Sequence, residues 1–176
     1  MSFRNLVKST LHVLFLVDPC TGYNVLDESS RSTNYVDNNY FCDQDYDLTT
    51  GAINPHLDQT NWKGAGWYRF MEPAGTRMIE YPEVKGMGDC STQDPTYIVS
   101  SDYDSIQMGE VVDREACMFN SKVFNQQGNP CFVPSHFTDS GFDKIPIKIK
   151  RCQGDYFVYE LPNIAECNGR YCAISD

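Results

Sequence analysis

Apolar and polar positions alternate most regularly near the C-terminus. Ile145-Pro146-Ile147-Lys148-Ile149-Lys150 sets its isoleucines on one face and its lysines on the other, the period of two that a half-buried strand requires. After Cys152-Gln153-Gly154-Asp155 a second run follows, Tyr156-Phe157-Val158-Tyr159-Glu160-Leu161. Two such runs around a short glycine-containing loop predict a β-hairpin, and Pro146, lacking an N–H, predicts that the first strand starts at a sheet edge. Upstream, Gly66-Trp67-Tyr68-Arg69-Phe70-Met71, Thr96-Tyr97-Ile98-Val99-Ser100 and Gly109-Glu110-Val111-Val112 are short aromatic and β-branched bursts between turn residues. They read as strands, with Trp67 and Phe70 expected in the core. A single short helix is expected, over Asp113 to Phe124, with Asp113 as its cap and Ala116, Met118 and Phe119 packing inward.

From Asp18 to Thr60 the pattern vanishes. Asp18, Asp27, Glu28, Asp37, Asp43, Asp45, Asp47 and Asp58 stand against one base, Arg31, and apolar residues recur at no period. This stretch is expected to be mostly loop. The fold class that emerges is mainly β: a disulfide-stapled, sandwich-like domain with a C-terminal β-hairpin and little helix.

Composition narrows the class further. With 176 residues the chain holds about one domain. Its net charge of -10 repels phosphate backbones, which argues against a nucleic-acid partner. Hydrophobic residues at 41% suffice for a core, and a mean hydropathy of -0.46 excludes a polytopic membrane protein. At the N-terminus, Arg4 and Lys8 precede the apolar run Leu11-His12-Val13-Leu14-Phe15-Leu16-Val17. That order predicts a signal peptide over residues 1–17, the run being far shorter than the roughly 20 apolar residues of a spanning helix. The alternative is an amphipathic first element of a cytosolic protein, because His12 interrupts the run and no small-x-small cleavage site follows Val17.

All 8 cysteines lie after that run: Cys20, Cys42, Cys90, Cys117, Cys131, Cys152, Cys167 and Cys172. An even set spread over the secreted length predicts a disulfide framework of open connectivity. A zinc site would draw close Cys-x-x-Cys pairs from tight turns, and the chain has none. Each bridge is worth roughly 3 kcal/mol in the chain-entropy picture.

These residues also carry a resemblance. Asp18-Pro19-Cys20, Tyr23, Leu26-Asp27-Glu28 and Arg31 open a pattern that continues through Cys42-Asp43, the Gly66 to Phe70 string, Gly75, Arg77 and Met78. It runs on through Gly109 to Val112, Arg114 and Ala116-Cys117, and closes with Ile147 to Cys152, Gly154 to Leu161, Cys167 and Tyr171-Cys172. The pattern resembles the eight-cysteine extracellular domain of the uromodulin and pancreatic zymogen-granule membrane glycoprotein family, from Asp18 nearly to the chain end. Two cysteines of the family pattern are absent, one after the Arg77-Met78 segment and one beside Cys131. The resemblance implies that these two bond to each other elsewhere in the family and were lost as a unit. Residues 44–65 read as an insertion relative to the family.

The resemblance implies an extracellular, non-catalytic interaction or structural module, usually part of a larger mosaic protein, whose partner is an extracellular protein or glycan. Some relatives offer N-linked glycans to bacterial adhesins. This chain has no Asn-x-Ser/Thr sequon, so that role does not carry over.

Two other function classes have candidate residues. Asp43, Asp45 and Asp47 at alternate positions begin as a Ca²⁺ loop does, since hard cations gather several oxygens at about 2.5 Å. Leu48 and Asn54 stand where an EF-hand needs Gly and Glu, so only another kind of Ca²⁺ loop fits. Trp62, Trp67, Tyr68, Tyr97 and Tyr103 are candidates for a sugar-stacking platform; Trp62, in the polar insertion, is the best of them, and Arg69 is a candidate ligand anchor or, as a structural residue, pairs with a carboxylate or stacks on Trp67 or Tyr68. Together these define the alternative of a calcium-assisted or aromatic-platform carbohydrate binder. A hydrolase would use His56 or His136 as its base, or a carboxylate pair, but no nucleophile elbow surrounds Ser135 or any other serine and no carboxylate pairing is readable from the sequence.

Overall fold

The computed structural model describes residues 17–35, 40–44, 60–81, 83, 88–99, 102–118, 144–164 and 169–175. The architecture is mainly β. Strands β1 (Asn24–Leu26), β2 (Gly66–Phe70), β4 (Asp94–Ile98), β5 (Val111–Met118), β6 (Ile145–Cys152), β7 (Tyr156–Leu161) and β8 (Gly169–Tyr171) form one curled sheet in the order β1-β2-β7-β6-β5-β4-β8. Strands β3 (Arg77–Met78) and β9 (Ala173–Ile174) pair in a second, small sheet. Both edge strands of the large sheet run parallel to their neighbours, β1 to β2 and β8 to β4, while every interior pair is antiparallel.

The C-terminal hairpin follows the alternation that foretold it. Lys150 faces Val158 and Cys152 faces Tyr156 across the β6–β7 ladder. Ile147 and Ile149 are buried, Lys148 is exposed. Gly154 and Asp155 both adopt positive φ, 94° and 60°, which closes the tight turn with the strand twist it needs. The expectation for Pro146 needs correction. Strand β6 is interior, flanked by β5 and β7, but the β7 ladder begins only at Lys148. Pro146 sits before that point and opposes Glu115 alone, where no second neighbour asks for its missing N–H.

The expected helix at Asp113 is also corrected. Val111 to Met118 is a strand, paired with β6 from Val111 to Ala116 and with β4 from Ala116 to Met118. Its exposed positions are Val111, Asp113 and Glu115, while Val112 and Arg114 are half-buried and Ala116 buried. A flanking strand on each side decides the conformation where local propensity is weak. Phe119 to Phe124 lie outside the described residues, and the only helical segments among those described are single 3-10 turns at Ser29–Arg31, Asp89–Ser91 and Tyr103–Ser105.

One core joins the two sheets. Tyr68 and Phe70 from β2, Ile147 and Ile149 from β6, and Tyr159 and Leu161 from β7 pack with Met78 of β3 and Ala173 of β9. Trp67 is not in it: along β2 the buried positions are Tyr68 and Phe70, and Trp67 lies half-buried with Arg69 on the opposite face. Two bridges fasten flanking segments to the strands: Cys20–Cys152 ties the N-terminal segment to the end of β6, and Cys90–Cys172 ties the 3-10 turn Asp89–Ser91 to the residue between β8 and β9, spanning 132 and 82 residues of sequence. Cys42 and Cys117 are disulfide-bonded as well. Cys131 and Cys167 lie outside the described residues.

Candidate functional site

Where the β6–β7 turn meets the segment after β3, the core opens into a groove of about 430 Å³. Its floor is aromatic. Tyr103, from the 3-10 turn Tyr103–Ser105, lies 4.7 Å centroid to centroid from Phe157 at the start of β7. The Tyr103 hydroxyl donates to the carbonyl of Met78 at 3.1 Å and accepts from the Tyr159 hydroxyl at 3.0 Å. Burial, then the neighbouring Tyr159 and its hydrogen bond, push the Tyr103 phenol well above its ordinary value, so it stays neutral.

The walls are charged. Arg77 gives two N–H groups to Glu83, at 3.0 and 2.9 Å, and sits 3.5 Å from Glu80. The hydrogen bonds from Arg77 hold the Glu83 carboxyl below its usual range. Arg151 directs two N–H groups to one oxygen of Asp155 in the hairpin turn and a third to the Ile106 carbonyl at 3.1 Å. Both guanidinium groups lie 5.8 Å from a floor ring, Arg77 over Tyr103 and Arg151 over Phe157. Asp102 and Asp104 complete the rim on exposed positions, and Asp102 adopts the left-handed conformation with φ 41°.

A second charged cluster is sealed. Arg31 binds Asp43 through Nη1 at 2.6 Å and Nη2 at 2.7 Å, and binds Glu28 through Nε at 2.8 Å. Asp43 also accepts the Tyr171 backbone N–H at 2.9 Å, while Arg31 donates to the Tyr171 carbonyl. Arg170 reaches Glu28 at 3.3 Å and Ser30 at 2.9 Å. Arg31, Asp43 and Arg170 have no exposed surface. Burial raises the Glu28 carboxyl, but the positive charges of Arg31 and Arg170 and its hydrogen bonds outweigh that and bring it down to about 2. Burial and the charge of Arg31 lower the Arg170 guanidinium.

Of the described residues singled out in the sequence, Asp43 and Trp62 are enclosed. Asp43 spends both oxygens on Arg31 and Tyr171, so it is a buried counter-ion and not an open Ca²⁺ ligand; Asp45 and Asp47 lie outside the described residues. Among the described residues no three His, Cys, Asp or Glu side chains converge as a metal site. Trp62 is 1% exposed, stacked 4.6 Å from Tyr68 and 5.8 Å from Tyr171, and its Nε1–H donates to Asn163 Oδ1 at 3.1 Å. A sugar cannot reach that ring. Tyr68 and Tyr97 are fully buried too. Arg69 stacks 3.7 Å over Tyr156 and donates to the Tyr23 hydroxyl at 3.2 Å, pinning the N-terminal segment to the sheet. Its stacking partners are these tyrosines rather than Trp67 or Tyr68. His56, Ser135 and His136 lie outside the described residues.

Sequence reasoning missed the groove. Of its residues only Tyr103 stood out, as one of several aromatics, and the Asp-Tyr-Asp flanks of residues 102–104 were the one local signal that could have drawn attention. The sealed cluster had a hint: Arg31 is the single base of an acidic stretch.

A β scaffold fastened by disulfides, with a recognition-sized groove at its rim, belongs to the class of extracellular domains. Residues 68–173 match the family described as the uromodulin-like domain, and the chain belongs to that family. It is 30% identical over 169 residues to the pancreatic secretory granule membrane major glycoprotein GP2 of dog, an alignment covering 96% of this chain and 25% of that protein. Against human GP2 it is 29% identical over 163 residues, 93% of this chain and 23% of the other, and against rat uromodulin 30% over 158 residues, 88% and 18%. The chain thus spans about a quarter or less of these relatives. The domain is extracellular, and no described helix is long and apolar enough to cross a membrane.

Proposed function

We propose that this chain is a non-catalytic interaction module of a larger extracellular protein, residues 18–176 forming the domain and residues 1–17 its secretion signal. The observation that carries the reading is the groove: an aromatic floor with charged walls, open to solvent, on a sheet whose flanking segments are fastened by Cys20–Cys152 and Cys90–Cys172. A rigid concave surface of this kind holds its side chains in place before a partner arrives, which lowers the ordering cost of association. The groove's charged side chains are held by each other, Arg77 by Glu83 and Arg151 by Asp155, an arrangement suited to recognition rather than to moving protons.

The test uses the secreted, disulfide-intact protein immobilised against extracellular and cell-surface proteins. The module reading expects saturable capture of a defined partner by the native domain, loss of that capture in Asp104→Arg, and retention in Lys148→Gln on the opposite face of the sheet. Turnover of peptide, ester or glycoside substrates by the purified domain would overturn it.

A further inference from the structure

The groove also indicates the chemistry of its partner, an inference that rests on the interaction-module reading. Its lining contains two cations, Arg77 and Arg151, against four carboxylates, those of Glu80, Asp102, Asp104 and Asp155. Both cations are committed: Arg77 holds Glu83 through two N–H groups and sits by Glu80, and Arg151 turns two N–H groups onto Asp155. Among the described residues the groove's ion pairs fall on Glu80, Glu83 and Asp155 and none on Asp102 or Asp104, so the negative charge left over is concentrated at that side of the rim. A concave wall of one sign focuses the field into the cleft.

The floor fits a cation as well. Tyr103 and Phe157 already receive the guanidinium groups of Arg77 and Arg151 at 5.8 Å, so the rings of this groove accept cations, and Asp102 and Asp104 line it with them. An anionic ligand has no such opening, since it would have to displace Glu83 or Asp155 from geometries in which two N–H groups converge on each. We propose that the groove receives a basic side chain, lysine or arginine, from an exposed segment of a partner protein, seated against Tyr103 and Phe157 and held by Asp102 and Asp104.

Fluorescence anisotropy with a labelled, end-blocked Gly-Arg-Gly-Arg-Gly peptide at 0.15 M salt tests this, with Gly-Glu-Gly-Glu-Gly as the opposite-charge probe. The basic peptide is expected to bind saturably and the acidic one not at all. Asp102→Asn with Asp104→Asn should weaken binding roughly tenfold, the size of two partly shielded ion pairs together. Asp113→Asn with Glu115→Gln removes the same charge from exposed positions of β5 and should leave affinity within about twofold. Melting curves of each variant confirm folding, and Asp104→Asn alone serves should the double variant melt early. Equal losses in the two double variants would reduce the effect to general attraction toward an acidic chain, and absence of saturable binding, or equal binding of the acidic peptide, would overturn the proposal. Neither result touches the module reading, which is judged by partner capture and turnover.

Discussion

Two charged clusters of nearly the same ingredients sit in this domain and do opposite things. The cluster around Arg31 and Arg170 balances two guanidinium groups with Glu28 and Asp43, and three of its four side chains are wholly inaccessible. The groove around Arg77 and Arg151 surrounds two guanidinium groups with an excess of carboxylates, and Asp155 in it is 72% exposed. In the sealed cluster each charge depends on its partners, because water cannot replace them. In the groove water can, so an ion there contributes little to folding and remains available to a ligand. Burial, not residue type, separates a fastener from a recognition surface. The sealed cluster ties Glu28, Arg31 and Asp43 of the N-terminal stretch to Tyr171 of β8, across about 140 residues.

The same substitution in both places tests the contrast directly. Arg31→Met strands Asp43 without its principal cation inside the protein and should cost about 4 kcal/mol. Arg77→Met, with solvent at hand to hydrate Glu83, should cost about 1 kcal/mol or less. Urea denaturation of the oxidised protein measures both, and equal losses would dissolve the distinction.

Trp62 packs in the core and stacks on the ring of Tyr171, whose backbone binds Asp43 and Arg31. Trp62→Ala opens a cavity between Tyr68 and Tyr171 and should cost about 3 to 4 kcal/mol. A variant that melts like the native domain would return Trp62 to the surface and revive it as a ligand contact.

Acid separates the clusters next. Glu28 ionises near 2 in the folded protein against an ordinary value of 4.5. The folded state holds this proton less tightly than the unfolded chain, so the stabilisation is fully present above about pH 4.5 and is lost as pH falls toward 2. The difference corresponds to about 3 kcal/mol. Denaturation midpoints at pH 7 and pH 3 should therefore converge in Glu28→Gln, which starts lower and falls less. An undiminished fall in that variant would move the acid sensitivity elsewhere.

How legible each region is from sequence follows from how local its determinants are. The hairpin of β6 and β7 was readable because Ile145, Ile147 and Ile149 repeat their environment every second residue and Gly154 marks the turn. Strand β5 was readable only at Val111 and Val112; beyond them Asp113, Arg114 and Glu115 are as common in a short capped helix as in a strand, and only pairing with β6 and β4 decides. Trp62 misled because its flanks are polar, whereas its burial depends on Tyr171, 109 positions along the chain by the numbering. Arg31 stood out among acids, yet nothing in the spacing chose Asp43 over Asp37 or Asp58 as its partner. The groove draws on β3, the Tyr103 turn and the β6–β7 turn, pieces with no shared local signal. What periodicity could not supply, compartment and the disulfide framework, came from the basic-then-apolar N-terminus and the even set of cysteines, and the family resemblance implies the same.

The smallest expected effect is the most discriminating one for the groove. Asp102 and Asp104 are exposed and form no ion pair among the described residues, so neutralising them breaks no ion pair that holds the fold. Asp102 keeps its left-handed backbone, at φ 41°, as asparagine, the residue that shares aspartate's tolerance of that region. Asp102→Asn with Asp104→Asn should therefore change stability by no more than about 0.5 kcal/mol, and in the stabilising direction, because two like charges near Glu80 and Asp155 no longer repel. A loss of about 2 kcal/mol or more in thermal denaturation would mean that these carboxylates belong with Glu28 and Asp43 as structural ions. The two clusters would then be one kind of device, and the excess negative charge of the groove would have no ligand to explain it.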